Sequence, residues 1–305
     1  MILSGGTGFI GTPLRRRLLE KGHQVTLLTR NPSSVKTEGD RLKAALWDGK
    51  NSGAWTAEVD GAGAIINLAG EPIVAKRWSK KQKERILTSR LDATRAIVSA
   101  VAKATQKPKV LVNASAVGFY GDAPEGEVTE SSPAGNDFLA GICKRWEEEA
   151  QRAQAHGVRV VRLRTGIVLE KGGGALQKML LPFKLFVGGP LGSGRQWLPW
   201  VHREDVIGAI LFVLENQSVS GAINMTAPTP VTMKQFCTTL GTVMDRPSWA
   251  PVPSFVLKIV LGEMSEVVLT GQKAIPKKLR EAGYPFLFPK LEEALVGILR
   301  TPPRK

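Results

Sequence analysis

The sequence predicts an α/β fold built on a doubly wound parallel sheet, and three observations support this prediction. Strand-like apolar stretches alternate with amphipathic helical stretches through the first 165 residues. One strand candidate, residues 63–68, is an uninterrupted apolar run, as expected for a central strand covered on both faces. A glycine-rich turn at residues 5–11 joins the first strand to the first helix.

The elements follow in order along the chain. Predicted strands cover residues 1–4, 24–29, 42–47, 63–68, 110–114 and 158–163. Predicted helices cover residues 12–21, 79–104, 136–156, 175–186, 204–216, 233–244, 254–261 and 291–299. The alternation ends near residue 165. We therefore expect a nucleotide-binding domain at 1–165, to which later segments return, a smaller, mostly helical substrate lobe at 166–299, and a tail at 300–305.

The glycine turn indicates what the first domain binds. Gly5, Gly8 and Gly11 are spaced so that the chain can leave the strand sharply, approach a pyrophosphate with its backbone, and pack the next helix against the sheet. The start of that helix attracts anions. A strand before the turn and a helix after it are the context that a Rossmann-type dinucleotide site requires. The alternative is a tight turn without a ligand.

The end of the second strand indicates which dinucleotide is bound. An NAD site usually has a carboxylate there for the ribose 2′-hydroxyl, whereas this strand ends in Thr29 and Arg30. A guanidinium can pair with a 2′-phosphate, so NADP(H) is favoured, unless Arg30 simply faces water. Together with the wall of the adenine pocket and the end of the fourth strand, the predicted cofactor contacts are Gly5, Thr7, Gly8, Phe9, Ile10, Gly11, Thr29, Arg30, Asp48, Leu68, Ala69 and Gly70.

Composition excludes several other classes of protein. The 305 residues include two cysteines and three histidines without metal-ligand spacing, so we expect no metal. The net charge is +15, but no nucleic-acid motif accompanies it, which makes nucleic acid an unlikely partner; a basic solvated face or a protein partner remains open. No secretory signal or spanning segment is visible. The expected location is the cytoplasm, or an organelle stroma or matrix if a transit peptide has been removed.

Later segments resemble a known family more specifically than the glycine turn does. The chain resembles the extended short-chain dehydrogenase/reductases, and among them an atypical epimerase-family branch of the YfcH and SulA-like (giant chloroplast) type, which carries a C-terminal module of unknown function. The matching segments span nearly the whole chain: residues 5–11, 67–73, 77–78, 89–90, 115–121, 166–174, 188–194, 200–202, 271–272 and Pro276. The resemblance implies NADP binding, places Arg90 near the cofactor, and assigns residues 247–299 to the module. The plant relatives suggest a link to cell or plastid division.

The proton relay of the wider superfamily is incomplete in this sequence. Active members use a serine and a Tyr-x-x-x-Lys helix, in which the tyrosine transfers the proton. Ser115 stands where the serine is expected, but Ala140 occupies the tyrosine position four residues before Lys144. The catalytic candidates are therefore Ser115 and Tyr120, and Tyr120 qualifies only if its loop reaches the nicotinamide. Otherwise Tyr120 is a wall of the pocket, and Lys144 belongs to a solvated helix face.

The segment at residues 188–205 is the candidate for substrate binding. It is first glycine-rich, then aromatic and polar, and the resembling family uses it to hold the substrate. Tryptophans offer stacking surfaces and an arginine can pair with phosphate or carboxylate. The candidates are Arg195, Trp197, Trp200 and His202. The alternative is that the tryptophans pack between the lobes and His202 anchors the loop.

Two functions follow from these patterns. The first is an NADP(H)-dependent reductase or epimerase that acts on an unknown small or nucleotide-sugar-like carbonyl compound. The second is a cofactor-binding regulatory protein with little or no turnover. The intact glycine turn and the shaped substrate segment favour the first, and the missing tyrosine favours the second.

Overall fold

The computed structural model describes residues 1–35, 39–74 and 76–300. The tail predicted at 300–305 lies outside the described residues, apart from Arg300. The strands, in chain order, are β1 (Ile2–Ser4), β2 (Val25–Thr29), β3 (Leu42–Leu46), β4 (Ala64–Asn67), β5 (Val110–Ala116), β6 (Ala123–Val128), β7 (Arg159–Thr165), β8 (Ile167–Leu169), β9 (Trp197–Leu198), β10 (Trp200–His202), β11 (Gly221–Met225), β12 (Val231–Thr232) and β13 (Gln272–Ala274).

The central sheet has seven strands in the order β11-β7-β5-β4-β1-β2-β3, and all of its pairs are parallel. The strand order reverses between β1 and β4, which creates a crevice at the carboxyl ends of these strands. Successive residues of one strand face opposite sides of the sheet. Leu3 accordingly belongs to one hydrophobic core and Ile2 to another on the opposite face. The predicted doubly wound α/β fold is confirmed.

Helices cover both faces of the sheet and build the lobe. They are α1 (Gly11–Glu20), α2 (Lys80–Lys103), α3 (Phe138–Gln151), α4 (Gly174–Lys184), α5 (Arg203–Glu215), α6 (Met233–Met244), α7 (Ser254–Leu261), α8 (Glu266–Leu269), α9 (Lys277–Glu281) and α10 (Leu291–Leu299). Polar side chains fix several starts, because the first amides of a helix lack partners within it. Ser79 accepts from the Gln82 amide, Asp137 from the Ala140 amide, and Thr232 forms a capping box with Gln235.

The predicted strands correspond to six of the thirteen strands in the described residues, and one of the seven that were missed belongs to the central sheet. The helices at 233–244, 254–261 and 291–299 have the predicted bounds, whereas the helix predicted at 136–156 continues from residue 152 as a 3-10 helix. The sequence analysis missed β11, which pairs with β7 and extends the sheet by one strand. The strand is short, begins with Gly221 and carries the buried Asn224, so it lacks both an apolar run and an alternating pattern.

The lobe after residue 165 has its own core. Trp200 and Phe236 are fully enclosed there, with side chains of α4, α6 and α10 around them. The C-terminal module also reaches the nucleotide-binding half, since β13 runs parallel to β6, the strand that follows Tyr120. Gly271, just before β13, also allows a close approach to β9, because a Cβ on it would lie 1.9 Å from the Trp197 carbonyl oxygen.

We expect Phe236→Ala to lower the free energy of unfolding by about 3–5 kcal/mol, because it removes a fully buried ring from the lobe core. Phe255→Ala is the matched control: that ring is 63% exposed, and its loss should cost less than about 1 kcal/mol. Urea denaturation measures both. Equal losses in the two variants would contradict the assignment of Phe236 to the core.

Candidate dinucleotide-binding site

The glycine turn lies at the crevice between β1 and β4. Gly5 has a φ of +69°, a left-handed conformation that favours glycine. The turn is closed by a 3.0 Å hydrogen bond from the Gly8 amide to the Gly5 carbonyl. A Cβ on Gly5 would lie 2.7 Å from the Leu68 carbonyl oxygen, and one on Gly11 would lie 2.1 Å from the Gly5 carbonyl oxygen. The turn therefore packs closely both against the end of β4 and against the start of α1.

This packing leaves backbone donors available for an anion. Within the described residues, the amides of Thr7, Phe9 and Ile10 have no hydrogen-bond partner. Thr7 and Gly8 are exposed. Unpaired amides at the start of a helix, next to its positive dipole end, form a ready site for a pyrophosphate. The glycine turn thus fits the pyrophosphate of the dinucleotide that the sequence predicts.

Thr29 and Arg30 stand at the carboxyl end of β2, next to β1 in the sheet. Arg30 is exposed, and in the described part of the chain no carboxylate pairs with it. The Thr29 hydroxyl accepts a hydrogen bond from the Asn31 amide at 3.3 Å, and Asn31 in turn holds the Ser33 hydroxyl at 2.7 Å. The loop after β2 therefore presents an exposed guanidinium at the edge where an adenosine ribose lies in this fold.

Asp48, predicted as part of the adenine wall, organises its own loop. It is exposed and accepts hydrogen bonds from the amides of Lys50 and Asn51 at 2.9 and 2.8 Å, which lower the pKa of its carboxyl group. Trp47 beside it is buried and packs on Trp55, with 5.3 Å between the ring centroids. The tryptophan thus belongs to the core, and the role of Asp48 toward an adenine remains a prediction.

The end of β4 brings further predicted residues to the same crevice. Leu68 and Ala69 are half-buried, and Gly70 is exposed. Below them, buried Asn67 accepts from the Ser4 hydroxyl at 2.6 Å and donates to Asn113 at 2.7 Å, which links three neighbouring strands. Gly70 lies directly against Arg90: a Cβ on this glycine would be 3.3 Å from the guanidinium carbon. The structure thus brings the predicted contacts on β1, β4 and α2 together at one edge of the sheet.

Ser115 is held by a buried ion pair that the sequence analysis did not identify. Its hydroxyl donates to Glu147 on α3 at 2.7 Å, and Glu147 also receives the Arg164 guanidinium at 2.8 and 2.9 Å. Ser115, Glu147 and Arg164 are at most 4% exposed. Glu147 sits in the charged run of residues 147–149, which is typical of a solvated helix face, so only its spacing from the buried Ala140 and Cys143 could have indicated burial.

Tyr120 belongs to the same buried network. Its hydroxyl donates to Asn224 at 2.6 Å and accepts from Arg164 at 3.0 Å, and its side chain is 4% exposed. Burial raises the pKa of the Tyr120 hydroxyl above its usual value. Ala140, at the usual tyrosine position, is fully buried, whereas Lys144 is exposed on α3. The serine and tyrosine positions of the usual relay, Ser115 and Ala140, are therefore enclosed in the protein, and so is the substitute candidate Tyr120. The lysine position, Lys144, faces solvent.

The predicted substrate residues divide into exposed and enclosed ones. Arg195 is exposed and Trp197 is half-buried with its ring 5.0 Å from the Lys273 ammonium, so both have surface to offer a ligand. Trp200 is fully buried and donates to the Thr229 carbonyl, which makes it a packing residue of the lobe. His202 caps α5 by accepting from the Glu204 amide at 3.1 Å and stacks on Phe288 at 3.8 Å.

A contact between the glycine turn and the lobe was not anticipated. Phe9 fits against the glycine loop before α4, where a Cβ on Gly173 would lie 2.8 Å from its ring. The Arg203 guanidinium lies 5.3 Å from the same ring and pairs with Glu170 at 2.9 Å. The run Gly172-Gly173-Gly174 was the only sequence signal, since glycines mark close approach. The cofactor turn and the lobe are thus in direct contact.

Among the described residues, no group of histidine, cysteine, aspartate and glutamate side chains is arranged to hold a metal ion. The described helices include none with the length and apolar character needed to cross a bilayer.

Replacing Gly11 by alanine should destabilise the protein by more than 1 kcal/mol, because the new methyl group would collide with the Gly5 carbonyl. Gly141 on α3 is the control: a Cβ there meets nothing within 4 Å, so Gly141→Ala should raise stability by about 0.5–1 kcal/mol. Urea denaturation distinguishes the two. A Gly11→Ala protein as stable as wild type would show that the turn is not closely packed.

His202 should make stability pH-dependent. Burial, and secondly the charge of Arg203, lower its pKa from 6.5 to about 4, so the folded state holds it neutral while the unfolded state protonates below pH 6.5. The resulting stability is complete above pH 6.5 and is lost as the pH falls toward 4, by up to roughly 3 kcal/mol. His202→Asn keeps a helix-capping side chain without this titration. Unfolding measured from pH 7.5 to 4 should show a steeper loss for wild type; parallel curves would contradict the assignment.

Comparison with known proteins places this geometry in a family. Residues 1–225 match the model of the NAD dependent epimerase/dehydratase family, and residues 252–298 match a domain of unknown function, DUF1731. The chain is 43% identical to the epimerase family protein YfhF of Bacillus subtilis, over 97% of each chain. It is 42% identical to the chloroplastic SDR39U1 homolog of Arabidopsis thaliana, over 98% of this chain and 86% of that protein.

Solved structures agree with this match. Human epimerase family protein SDR39U1 (isoform 2), crystallised with NADPH, superposes with a TM-score of 0.87 at 36% identity, over 98% of both chains. A nucleoside-diphosphate sugar epimerase from Corynebacterium glutamicum superposes with a TM-score of 0.76 at 30% identity, over 98% of this chain and 57% of that one. The resemblance read from the sequence is confirmed: the chain belongs to the NAD dependent epimerase/dehydratase family and carries the DUF1731 domain at its C-terminal end.

Proposed function

We propose that this protein binds NADP(H) at the crevice between β1 and β4. We propose further that its cofactor-bound form acts as a regulatory protein and catalyses little turnover. The observation that carries the proposal is the enclosure of the groups that could donate the proton. Ala140, at the usual tyrosine position, is fully buried, while Ser115 and Tyr120 are bound by Glu147, Arg164 and Asn224.

The glycine turn and Arg30 support the choice of cofactor. Unpaired amides of Thr7, Phe9 and Ile10 fit a pyrophosphate, and the exposed Arg30 guanidinium fits a 2′-phosphate. The human relative in this family was crystallised with NADPH. When bound, this cofactor supplies a hydride at its nicotinamide ring. The residues named here bind and orient it, and the remaining predicted contacts, including Asp48 and Arg90, are part of the same proposal.

The buried network supports the proposal that this site transfers protons poorly. A catalytic hydroxyl must reach the reacting atom, within about 2.6–3.2 Å or through one water. The hydroxyls of Ser115 and Tyr120 are instead bound to partners inside the protein, at 2.7 and 2.6 Å. Burial also raises the pKa of the Tyr120 hydroxyl. Neither group is placed to exchange a proton with a ligand at the open edge.

A reductase or epimerase is the second candidate, with an unknown small or nucleotide-sugar-like carbonyl compound as substrate. The exposed Arg195 and half-buried Trp197 favour it, because they present a cation and an aromatic surface on the lobe. Its proton would have to come from another group or from water.

We expect Arg30→Ala to raise the Kd for NADPH by about 10–100-fold and to leave the Kd for NADH nearly unchanged, because it removes a charge-assisted contact of roughly 1.5–3 kcal/mol. Arg16→Ala is the matched control, since Arg16 is an exposed arginine of α1 that pairs with Glu20. Titrations followed by nicotinamide fluorescence give both constants. Tighter binding of NADH than of NADPH by the wild-type protein would overturn the cofactor assignment.

Turnover separates the two candidate functions. With NADPH or NADP+ and a panel of small aldehydes, ketones and nucleotide sugars, the regulatory function predicts neither net oxidation of NADPH nor an epimerised product above the rate without protein. If a substrate is found, Tyr120→Phe and Ser115→Ala should leave its turnover unchanged apart from losses of stability. A large loss of kcat in a stable Tyr120→Phe protein would instead support an enzyme that uses this tyrosine.

A further inference from the structure

Exposed apolar side chains are concentrated on one side of the lobe. Among the described residues, eight of the twelve large apolar side chains that are exposed lie in two stretches, residues 181–187 at the end of α4 and residues 249–260 in and before α7. Each of the eight is between 49% and 71% exposed. Large exposed apolar patches mark sites of contact with a protein or a membrane. We call the surface formed by these two stretches the α4–α7 face.

The two stretches belong to one continuous surface. The Trp249 indole, just before α7, donates a hydrogen bond to the Phe186 carbonyl at the end of α4, at 3.0 Å. Both helices also contact the loop after β4. Val74 in this loop accepts a hydrogen bond from α4 at 3.2 Å, and Arg77 donates one to a carbonyl of α7 at 3.3 Å. The exposed side chains of α4 and α7 are therefore neighbours in space as well as in composition.

Phe186 holds its ring on this face in an unfavourable backbone conformation. It follows the C-cap residue of α4 and has a φ of +62°, in the left-handed region that bulky residues rarely occupy. A glycine would adopt this conformation without steric cost. The ring is exposed, and the Arg246 guanidinium lies 4.4 Å from its centroid. Strain of this kind is typical of functional surfaces, which supports a use for the exposed ring.

The charged residues of the α4–α7 face are all basic. The sequence has no aspartate or glutamate at residues 171–203 or at residues 246–262. Lys184 lies within the first of these ranges and Lys258 within the second, and both are exposed. The acidic residues that flank the second range are each paired with a basic side chain. An apolar surface with a basic border fits a partner that is both apolar and anionic.

A lipid bilayer fits this face better than a protein does. In a symmetric dimer the face would meet its own copy, so Lys184 and Lys258 would be brought toward like charges. A partner helix would need a groove, whereas the side chains here project outward. The cavity between Met179 and Val252 beneath them measures only about 50 Å³. A bilayer surface accepts projecting side chains without a complementary shape.

We propose that the α4–α7 face binds the surface of a membrane that contains anionic lipids. Side chains such as Phe255 and Ile259 enter the boundary between the headgroups and the acyl chains, and Trp249 lies at the level of the headgroups. Lys184 and Lys258 extend their ammonium groups toward the anionic headgroups. This contact is peripheral and reversible, and it is independent of the proposed cofactor site.

The test is co-sedimentation of the full chain with vesicles of phosphatidylcholine, alone or with phosphatidylglycerol as about a third of the lipid. We expect the partition coefficient to be at least tenfold higher on the anionic vesicles. Phe255→Ser/Ile259→Ser should lower it at least tenfold, because the apolar contact is lost. Leu46→Ser/Leu287→Ser is the matched control, since both leucines are as exposed but lie outside the face. This control should bind like wild type.

The lysines have a test of their own. Lys184→Gln/Lys258→Gln should lower binding to the anionic vesicles by about 10–30-fold, because one cation near such a surface contributes about fivefold. Lys103→Gln/Lys109→Gln removes two other exposed lysines and should have little effect.

Tryptophan fluorescence identifies which face contacts the lipid. Brominated phosphatidylcholine in the anionic vesicles quenches tryptophans that it touches. We expect quenching in the wild type and loss of most of it in Trp249→Phe, because this indole is exposed on the face. Quenching that persists in Trp249→Phe would place a different surface against the bilayer and would overturn the proposal.

Three further results would overturn it. The first is a wild-type protein that does not sediment with anionic vesicles. The second is binding that the lysine variant loses and the serine variant retains, since the net charge of +15 then adsorbs without this face. The third is a dimer that dissociates in Phe255→Ser/Ile259→Ser and binds no vesicles, which assigns the face to a second copy. Circular dichroism confirms that each variant is folded, and the Trp249→Phe measurement decides if the serine variant is not.

Discussion

The close approach of Gly11 to Gly5 is the constraint on which the site depends. The two residues touch so closely that a single methyl group on Gly11 would lie 2.1 Å from the Gly5 carbonyl oxygen. This contact sets α1 against the sheet and aims its first amides at the crevice beside β4. It also brings Phe9 against the glycine loop before α4. This one backbone contact therefore determines both the position of the anion-binding amides and the contact between the glycine turn and the lobe.

A second constraint lies at the opposite side of the site, where Arg164 and Glu147 are paired inside the protein. Breaking a buried pair leaves an uncompensated charge, so its neighbours are held firmly. Ser115 and Tyr120 are among these neighbours, and the network continues through Asn224 to the carbonyl of Ile275 in the C-terminal module. The residues that could have formed a relay thus join the module to the sheet. In this arrangement the protein keeps the glycine turn that fits a cofactor, although it lacks the usual tyrosine at position 140.

Sequence patterns predicted what depends on local spacing, and missed what depends on distant partners. The glycine turn, the helix at 233–244 and the family follow from short motifs, because sterics and periodicity act within a few residues. The strand β11 escaped prediction because its burial comes from pairing with β7. Likewise, the sequence pattern around Glu147 is typical of a solvated helix face, and Trp200 was a candidate for substrate binding. In the structure both residues are buried. The substrate could not be predicted from the sequence, since its chemistry depends on side chains that converge only in three dimensions.

The structural role of the basic residues also depends on distant partners. Many of these cations join parts of the fold: Arg17 pairs with Glu204 at 2.9 Å, Lys21 with Glu215 at 2.9 Å, and Lys83 with Glu263 of the C-terminal module. Exposed pairs of this kind contribute little energy each, and they leave the net charge of +15 unchanged. Arg30 is one of the exposed cations with which no carboxylate of the described residues is paired. In the proposed function, the exposed guanidinium of Arg30 is the part of this positive charge that selects the 2′-phosphate of NADP(H), because a charge-assisted contact with a phosphate is stronger than one with a hydroxyl group.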